Sequence, residues 1–216
     1  MRRTRIKICG IRALSDALEA VRLGADAIGL IFYAGSPRVV SIAEAARIRA
    51  ALPPFVSTVA LFVNASADEV AAVTRLVKPS LLQFHGEEDN SFCAQFAMPF
   101  LKAVRVGGQM GAGDLLQCHD QFPQAAALLF DTLSASGHGG TGEVFDWSLI
   151  APVLREKIVL AGGLTPDTVG AAVQLIRPFA VDVSSGVEVR KGVKDHDKMA
   201  RFVAAVRAAD SSAATN

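Results

Sequence analysis

Short apolar runs recur along this chain, and segments of helical period lie between them. The runs fall at residues 5–9, 27–32, 57–63, 81–84, 100–104, 126–130, 157–161 and 179–183. Most lack strict two-residue alternation, the pattern of strands buried on both faces of a parallel sheet. The intervening segments read as helices. Leu14, Ala17, Leu18 and Val21 stand at i, i+3, i+4 and i+7, one apolar face. Ser41 with Glu44 and Ser66 with Glu69 have capping-box spacing and open helices over 45–52 and 70–77. Pro53, Pro54 and Pro79 stop those two. Thr165 followed by Pro166 opens a helix over 167–176, which Pro178 closes. Asp146 caps 147–154, and Asp195 starts a last helix to about 208. Residues 88–97 and 111–122 complete the helical set.

A strand-helix unit repeated about eight times predicts an α/β fold, a single (β/α)8 TIM barrel. A doubly wound open sheet also alternates strand and helix. Eight units within 216 residues favour the closed barrel and leave little for a second domain. The barrel is expected over residues 1–210, with 211–216 a disordered tail.

Composition narrows the function. Lys and Arg total 22 against 21 Asp and Glu, a net charge of +1, so neither a nucleic acid nor a membrane surface is an expected partner. Hydrophobic residues at 51% supply a core. No run approaches the ~18 apolar residues of a membrane span. The cysteines are Cys9, Cys93 and Cys118, an odd number without a CxxC pair, which suits a reducing cytoplasm. A monomer is reasonable, since a closed barrel has no unpaired edge; a homodimer remains open.

Barrel enzymes carry their chemistry at the C-terminal ends of the strands. Here those positions hold Cys9, then Gln83 and His85, then Asp131, then Gly162 and Gly163, then Asp182, Ser184 and Ser185. Cys9 is a candidate base, with Lys7 and Arg12 near enough in sequence to favour a thiolate; the alternative is a buried small hydrophobe. Asp131 ends an apolar run, and an apolar setting favours the proton-donating carboxyl; a turn aspartate is the alternative. The two glycine and serine turns after strands seven and eight suit a phosphate. Arg38, stiffened by Pro37, could grip a carboxylate through two hydrogen bonds. Gly137 to Gly142 matches GxGxxG, but its place well after strand six suits a lid through Gly139, Gly140 and Gly142 better than a dinucleotide turn. The four histidines form no HxH or HExxH, so no metal is expected.

These motifs occur together and in order: Lys-Ile-Cys-Gly at 7–10, Ser-Pro-Arg at 36–38, Gln-Phe-His-Gly at 83–86, Phe-Asp-Thr at 130–132, Gly-Gly-Thr-Gly at 139–142, Phe-Asp-Trp at 145–147, Ala-Gly-Gly-Leu at 161–164 and Asp-Val-Ser-Ser-Gly at 182–186. In that set the sequence resembles the phosphoribosylanthranilate isomerases of tryptophan biosynthesis, over about residues 4–208. The resemblance implies an Amadori rearrangement of N-(5′-phosphoribosyl)anthranilate, a small phosphorylated substrate, without metal or coenzyme. It implies Cys9 as general base and Asp131 as general acid. It also implies Arg38 on the anthranilate carboxylate, and Gly162, Gly163, Ser184 and Ser185 on the phosphate. Tyr33-Ala34-Gly35 replaces a common Pro-Lys pair, and Phe84 a usual leucine. A histidine-pathway or dual-substrate isomerase resembles this fold but carries an aspartate where this chain has Cys9. A non-catalytic phosphate-binding barrel would need neither Cys9 nor Asp131.

Overall fold

A computed structural model describes residues 3–107, 110–132 and 146–212. Its eight parallel strands close into a barrel in sequence order: β1 (Arg5–Cys9), β2 (Ala27–Ile31), β3 (Ser57–Phe62), β4 (Leu81–Phe84), β5 (Phe100–Val106), β6 (Ala127–Thr132), β7 (Ile158–Leu160) and β8 (Ala180–Val183), with β8 pairing back onto β1. The helices are α1 (Leu14–Leu23), α2 (Ile42–Ala51), α3 (Ala67–Val77), α4 (Asn90–Ala94), α5 (Ala112–Gln121), α6 (Val169–Ile176) and α7 (His196–Ser212). The expected lid glycines Gly139, Gly140 and Gly142 lie outside the described residues.

Alternation along each strand makes two cores. Outward residues such as Ile6, Ile8, Ile28, Leu30, Phe62, Phe84 and Phe130 pack beneath the helices. Inward residues are smaller: Val59, Leu101, Ala103, Ala127, Leu129, Val159 and Ala180 fill the lower barrel, and Cys9, Ile31 and Leu61 lie above them. Phe84 is fully buried on the outer side, in ring contact with Phe62, Phe92, Phe96 and Phe100. Its ring therefore adds to the helix-facing layer and points away from the barrel interior.

Local structure differs from expectation at five places. Ser66 and Glu69 form the full capping box, but at Ser41 only half forms, because the Glu44 carboxylate turns to Arg47 at 2.8 and 3.0 Å. Helix α6 begins at Val169 rather than 167, because the Thr165 carbonyl and hydroxyl first organise a turn through Thr168. Between β6 and β7, two 3-10 turns, Trp147–Leu149 and Pro152–Lys157, replace the expected helix; Asp146 caps the first by accepting from the Ser148 N–H. The last helix runs on to Ser212, so Ser211 and Ser212 belong to the fold rather than to a tail. Their hydroxyls bond back to the Arg207 and Ala209 carbonyls. A short antiparallel hairpin, β9 (Glu188–Arg190) and β10 (Val193–Lys194), follows β8 and was not expected.

At the N-terminal face, Asp210 of α7 accepts from the Thr4 N–H at 2.9 Å and hydroxyl at 2.7 Å. Arg207 donates to the Thr4 and Gly24 carbonyls. On the same face Phe55 is fully exposed with φ 71°, beside a hollow of about 310 Å³ bounded by the starts of several strands.

Candidate active site

Polar side chains converge at the C-terminal ends of the strands. Lys7 and Cys9 alternate inward along β1, and both are buried. The register sets Lys7 beside Asp182 and Cys9 beside Gly29. Glycine is needed there, because a Cβ on residue 29 would lie 2.7 Å from the Cys9 Sγ. Lys7 Nζ pairs with Asp182 at 3.0 Å and donates to Gln83 Oε1 at 2.9 Å. Gln83 Nε2 then meets His85 Nδ1 at 3.1 Å, and His85 Nε2 meets Asp131 Oδ2 at 3.1 Å. A chain of one ion pair and three hydrogen bonds thus links β8 to β6 across the mouth.

Its direction follows from chemistry. A lysine ammonium only donates, so Gln83 must present its carbonyl to Lys7 and its NH2 to His85. The neutral His85 ring accepts at Nδ1, carries its proton on Nε2 and donates to one Asp131 oxygen. Assigned in this way from the network, the chain leaves the second Asp131 oxygen for other work. Asp131 is 31% exposed rather than enclosed in apolar surroundings, so His85 is its defining neighbour.

Charge around Cys9 is finely opposed. Burial pushes the thiol above its ordinary range; Lys7 and Lys194 pull it down, and Asp182 pushes it further up. The second cation is therefore Lys194 of the hairpin and not Arg12. Burial opposes the Lys7 charge, yet Asp182 and Cys9 outweigh it and hold the ammonium above the usual lysine range.

Arg38 comes from the loop after β2, its N–H donating to the Ser36 hydroxyl. Its guanidinium pairs through both Nε and Nη2 with Glu188, each at 2.8 Å. Glu188 and Lys194 are site residues that sequence reasoning missed. The only sequence sign of them is a glutamate between two valines at 187–189.

The turns after β7 and β8 pack together: a Cβ on Gly186 would collide with the Leu164 carbonyl at 2.0 Å. Gly162 and Gly163 take φ 79° and 67°, conformations that favour glycine. The Ser184 hydroxyl is buried without a hydrogen-bond partner among the described residues, a donor with capacity to spare. Ser185 is exposed at the start of the following turn. Among the described residues, no group of three or more His, Cys, Asp and Glu could hold a metal ion, and no helix is long and apolar enough to cross a membrane.

Chemistry gathered at this one end of a closed parallel barrel is the arrangement of the barrel enzymes, and likeness to known proteins narrows the class to isomerases. The family described as N-(5′phosphoribosyl)anthranilate (PRA) isomerase matches residues 6–205, so the chain belongs to that family, an enzyme of tryptophan biosynthesis. It is 53% identical over 204 residues to the N-(5′-phosphoribosyl)anthranilate isomerase of Neisseria meningitidis serogroup C, covering 94% of this chain and 97% of that one. To the same enzyme of Dechloromonas aromatica it is 51% identical over 210 residues, covering 97% and 99%. The crystal structure of phosphoribosyl anthranilate isomerase from Thermotoga maritima aligns with TM-score 0.86 and 41% identity over 95% of this chain and 99% of that one.

Proposed function

We propose that the isomerisation is an Amadori rearrangement of N-(5′-phosphoribosyl)anthranilate to 1-(2-carboxyphenylamino)-1-deoxyribulose 5-phosphate, with Asp131 as general acid and Cys9 as general base. Asp131 gives its proton to the furanose ring oxygen, the C1′–O bond breaks, and the aniline nitrogen becomes a protonated Schiff base. The Cys9 thiolate takes the C2′ proton, which the iminium has acidified, and the electron pair forms the enolamine. That species passes its enol proton to C1′ and becomes the ketone. Per turnover Asp131 loses one proton and Cys9 gains one, so the site resets by a net transfer from thiol to carboxylate. The supporting observation is the chain of one ion pair and three hydrogen bonds from Asp182 through Lys7, Gln83 and His85 to Asp131, with Cys9 beside its Lys7 end.

In this reading Arg38 holds the anthranilate carboxylate, and Gly162, Gly163, Ser184 and Ser185 hold the phosphate. Gln83, His85 and Asp182 line the sugar between them. A relative of 40% identity and TM-score 0.82 has been solved in complex with reduced 1-(o-carboxyphenylamino)-1-deoxyribulose 5-phosphate, a ligand of this shape. Fixing both ends of a long substrate places C2′ by Cys9 and removes much of the entropic barrier. Cys9→Ala and Asp131→Asn should each lower kcat by at least ~10²-fold, and should fail to complement a tryptophan auxotroph lacking this isomerase. Near-normal turnover in either variant removes that residue from the mechanism. Turnover of only the histidine-pathway aminoaldose overturns the substrate assignment.

The three cysteines, all free, suit a reducing cytoplasm as the site of action. A Thermotoga maritima relative is described as dimeric. Here the exposed Phe55 stands beside the hollow on the N-terminal face, so a two-fold pair through that face would bury both rings. A Phe55→Glu variant that sediments like wild type would exclude it.

A further inference from the structure

Outside the acid-base pair, the most heavily built corner of the mouth is the hairpin that follows β8. Glu188 is buried, and its carboxylate takes three charge-assisted contacts: Arg38 Nε and Nη2 at 2.8 Å each, and Lys194 Nζ at 2.9 Å. Lys194, also buried, spends a second proton on the Ser184 carbonyl at 3.1 Å. Lys198 of α7 anchors the Glu188 carbonyl at 2.8 Å. Gly10 completes the corner. A Cβ there would lie 2.6 Å from Arg38 Cδ and 3.0 Å from the Ser184 hydroxyl, so the arginine stem and the serine both rest on residue 10, next to Cys9.

Two features of this corner point outward to a ligand. Two cations share one carboxylate, which leaves an excess positive charge at a largely buried site, where charges are normally matched. The guanidinium uses Nε and Nη2 on Glu188, while Nη1 has no bond among the described residues. Burial alone would push the Glu188 carboxyl up, but Arg38 and Lys194 outweigh it and keep it ionised.

We propose that Glu188 and Lys194 are positioning residues forming a strut that sets the spacing between the two anion-holding ends of the site. Glu188 aims the free edge of Arg38 at the substrate carboxylate, and Lys194 ties that assembly to the Ser184 turn that receives the phosphate. The strut rests on the roles proposed for Arg38 and Ser184 and deepens them. It makes specificity for a substrate with two anionic ends a property of a hairpin that touches neither end.

The test is calorimetric binding of two probes: the reduced product analogue and its phenylamino counterpart, which lacks the carboxylate. Glu188→Gln should weaken the carboxylated probe by about tenfold, the scale of a lost charge-assisted contact, and leave the other probe within about twofold. Adding Arg38→Ala should then cost almost nothing more, because the two act as a unit. Lys194→Met should weaken both probes. In steady state, the Glu188→Gln loss should fall on KM rather than kcat. Should Glu188→Gln not fold, Glu188→Asp, which keeps the charge but retracts it, carries the same comparison. Equal weakening of both probes by the Glu188 variant, or weakening of neither, overturns the strut while leaving Arg38 in place. If Arg38→Ala fails to distinguish the probes, the carboxylate role of Arg38 falls, and the strut with it.

Discussion

A single methyl group added at Gly29 should damage catalysis more than stability. Gly29 sits in β2 directly beside Cys9 and faces into the barrel mouth. A Cβ there would stand 2.7 Å from the Cys9 Sγ, 3.1 Å from the Cys9 Cα and 3.2 Å from Lys7 Cε. Carbon contacts are comfortable at ~3.5–4.0 Å, so the sulfur must retreat by about 1 Å. The backbone of β1 can yield little, being paired on both sides, and most of the movement therefore falls on the thiol side chain. A displacement of ~1 Å in a reacting group costs on the order of 10²-fold in rate. Overpacking a barrel interior costs about 1–3 kcal/mol, which for a chain of this size lowers Tm by roughly 2–12 °C. Gly29→Ala should therefore fold, with kcat down by about 10²-fold. The assay is steady-state turnover on protein whose urea unfolding is measured in parallel. Ile48→Val, in the helix-facing core and far from the mouth, is the control, losing ~0.5–1.5 kcal/mol of stability with kcat unchanged. A Gly29→Ala enzyme with near wild-type kcat would show that the thiol has freedom the packing denies it, and would refute the reasoning.

Three further outcomes follow. Since burial outweighs Lys7 and Lys194 at Cys9, kcat/KM should climb with pH into and beyond the ordinary thiol range; a rising limb centred near neutrality would mean that the cations win. Asp26 is pushed up by burial but held below its usual range overall by Arg3, the Ile6 N–H and Arg207. The unfolded chain therefore binds the proton first as pH falls, and stability present above the ordinary carboxyl range should be lost as pH drops through the depressed folded value. Asp26→Asn should flatten that acid slope in urea titrations, and an unchanged slope would place it elsewhere. Cys93 is buried, and its thiol is pushed up to about 12 mainly by that burial. In the native protein iodoacetamide should therefore modify the half-buried Cys118 well before Cys93, as peptide mapping can check; prompt labelling of Cys93 would argue for local opening of α4.

Much of the fold was legible because both faces of a barrel strand are buried. The eight apolar runs anticipated the eight strands to within two residues, since no polar face interrupts them. The helix ends were less legible, because competing local bonds decide them: Glu44 chose Arg47 over its own cap, and Thr165 bonds to Thr168 through its N–H, hydroxyl and carbonyl. The strand-end residues Cys9, Gln83, His85, Asp131 and Asp182 could be read directly, since strand period fixes which way they face. Glu188 could not, because its partner Arg38 stands 150 residues away in sequence, and Lys194 reaches this corner only through its bonds to Glu188 and the Ser184 carbonyl. Arg12, near Cys9 in sequence, gave way to Lys194, near it in space. Adjacency along the chain is a poor guide to electrostatics in a fold whose ends meet.

That meeting of ends has a use of its own. The bond of Thr4 to Asp210, 206 residues apart, joins the first strand to the last helix on the face opposite the mouth. The ring could therefore be sewn together at that seam by a short linker and reopened at an outer loop, with every strand keeping its neighbours. A circular permutant of this kind, or a fusion of a second protein at the seam, would leave the reactive end untouched.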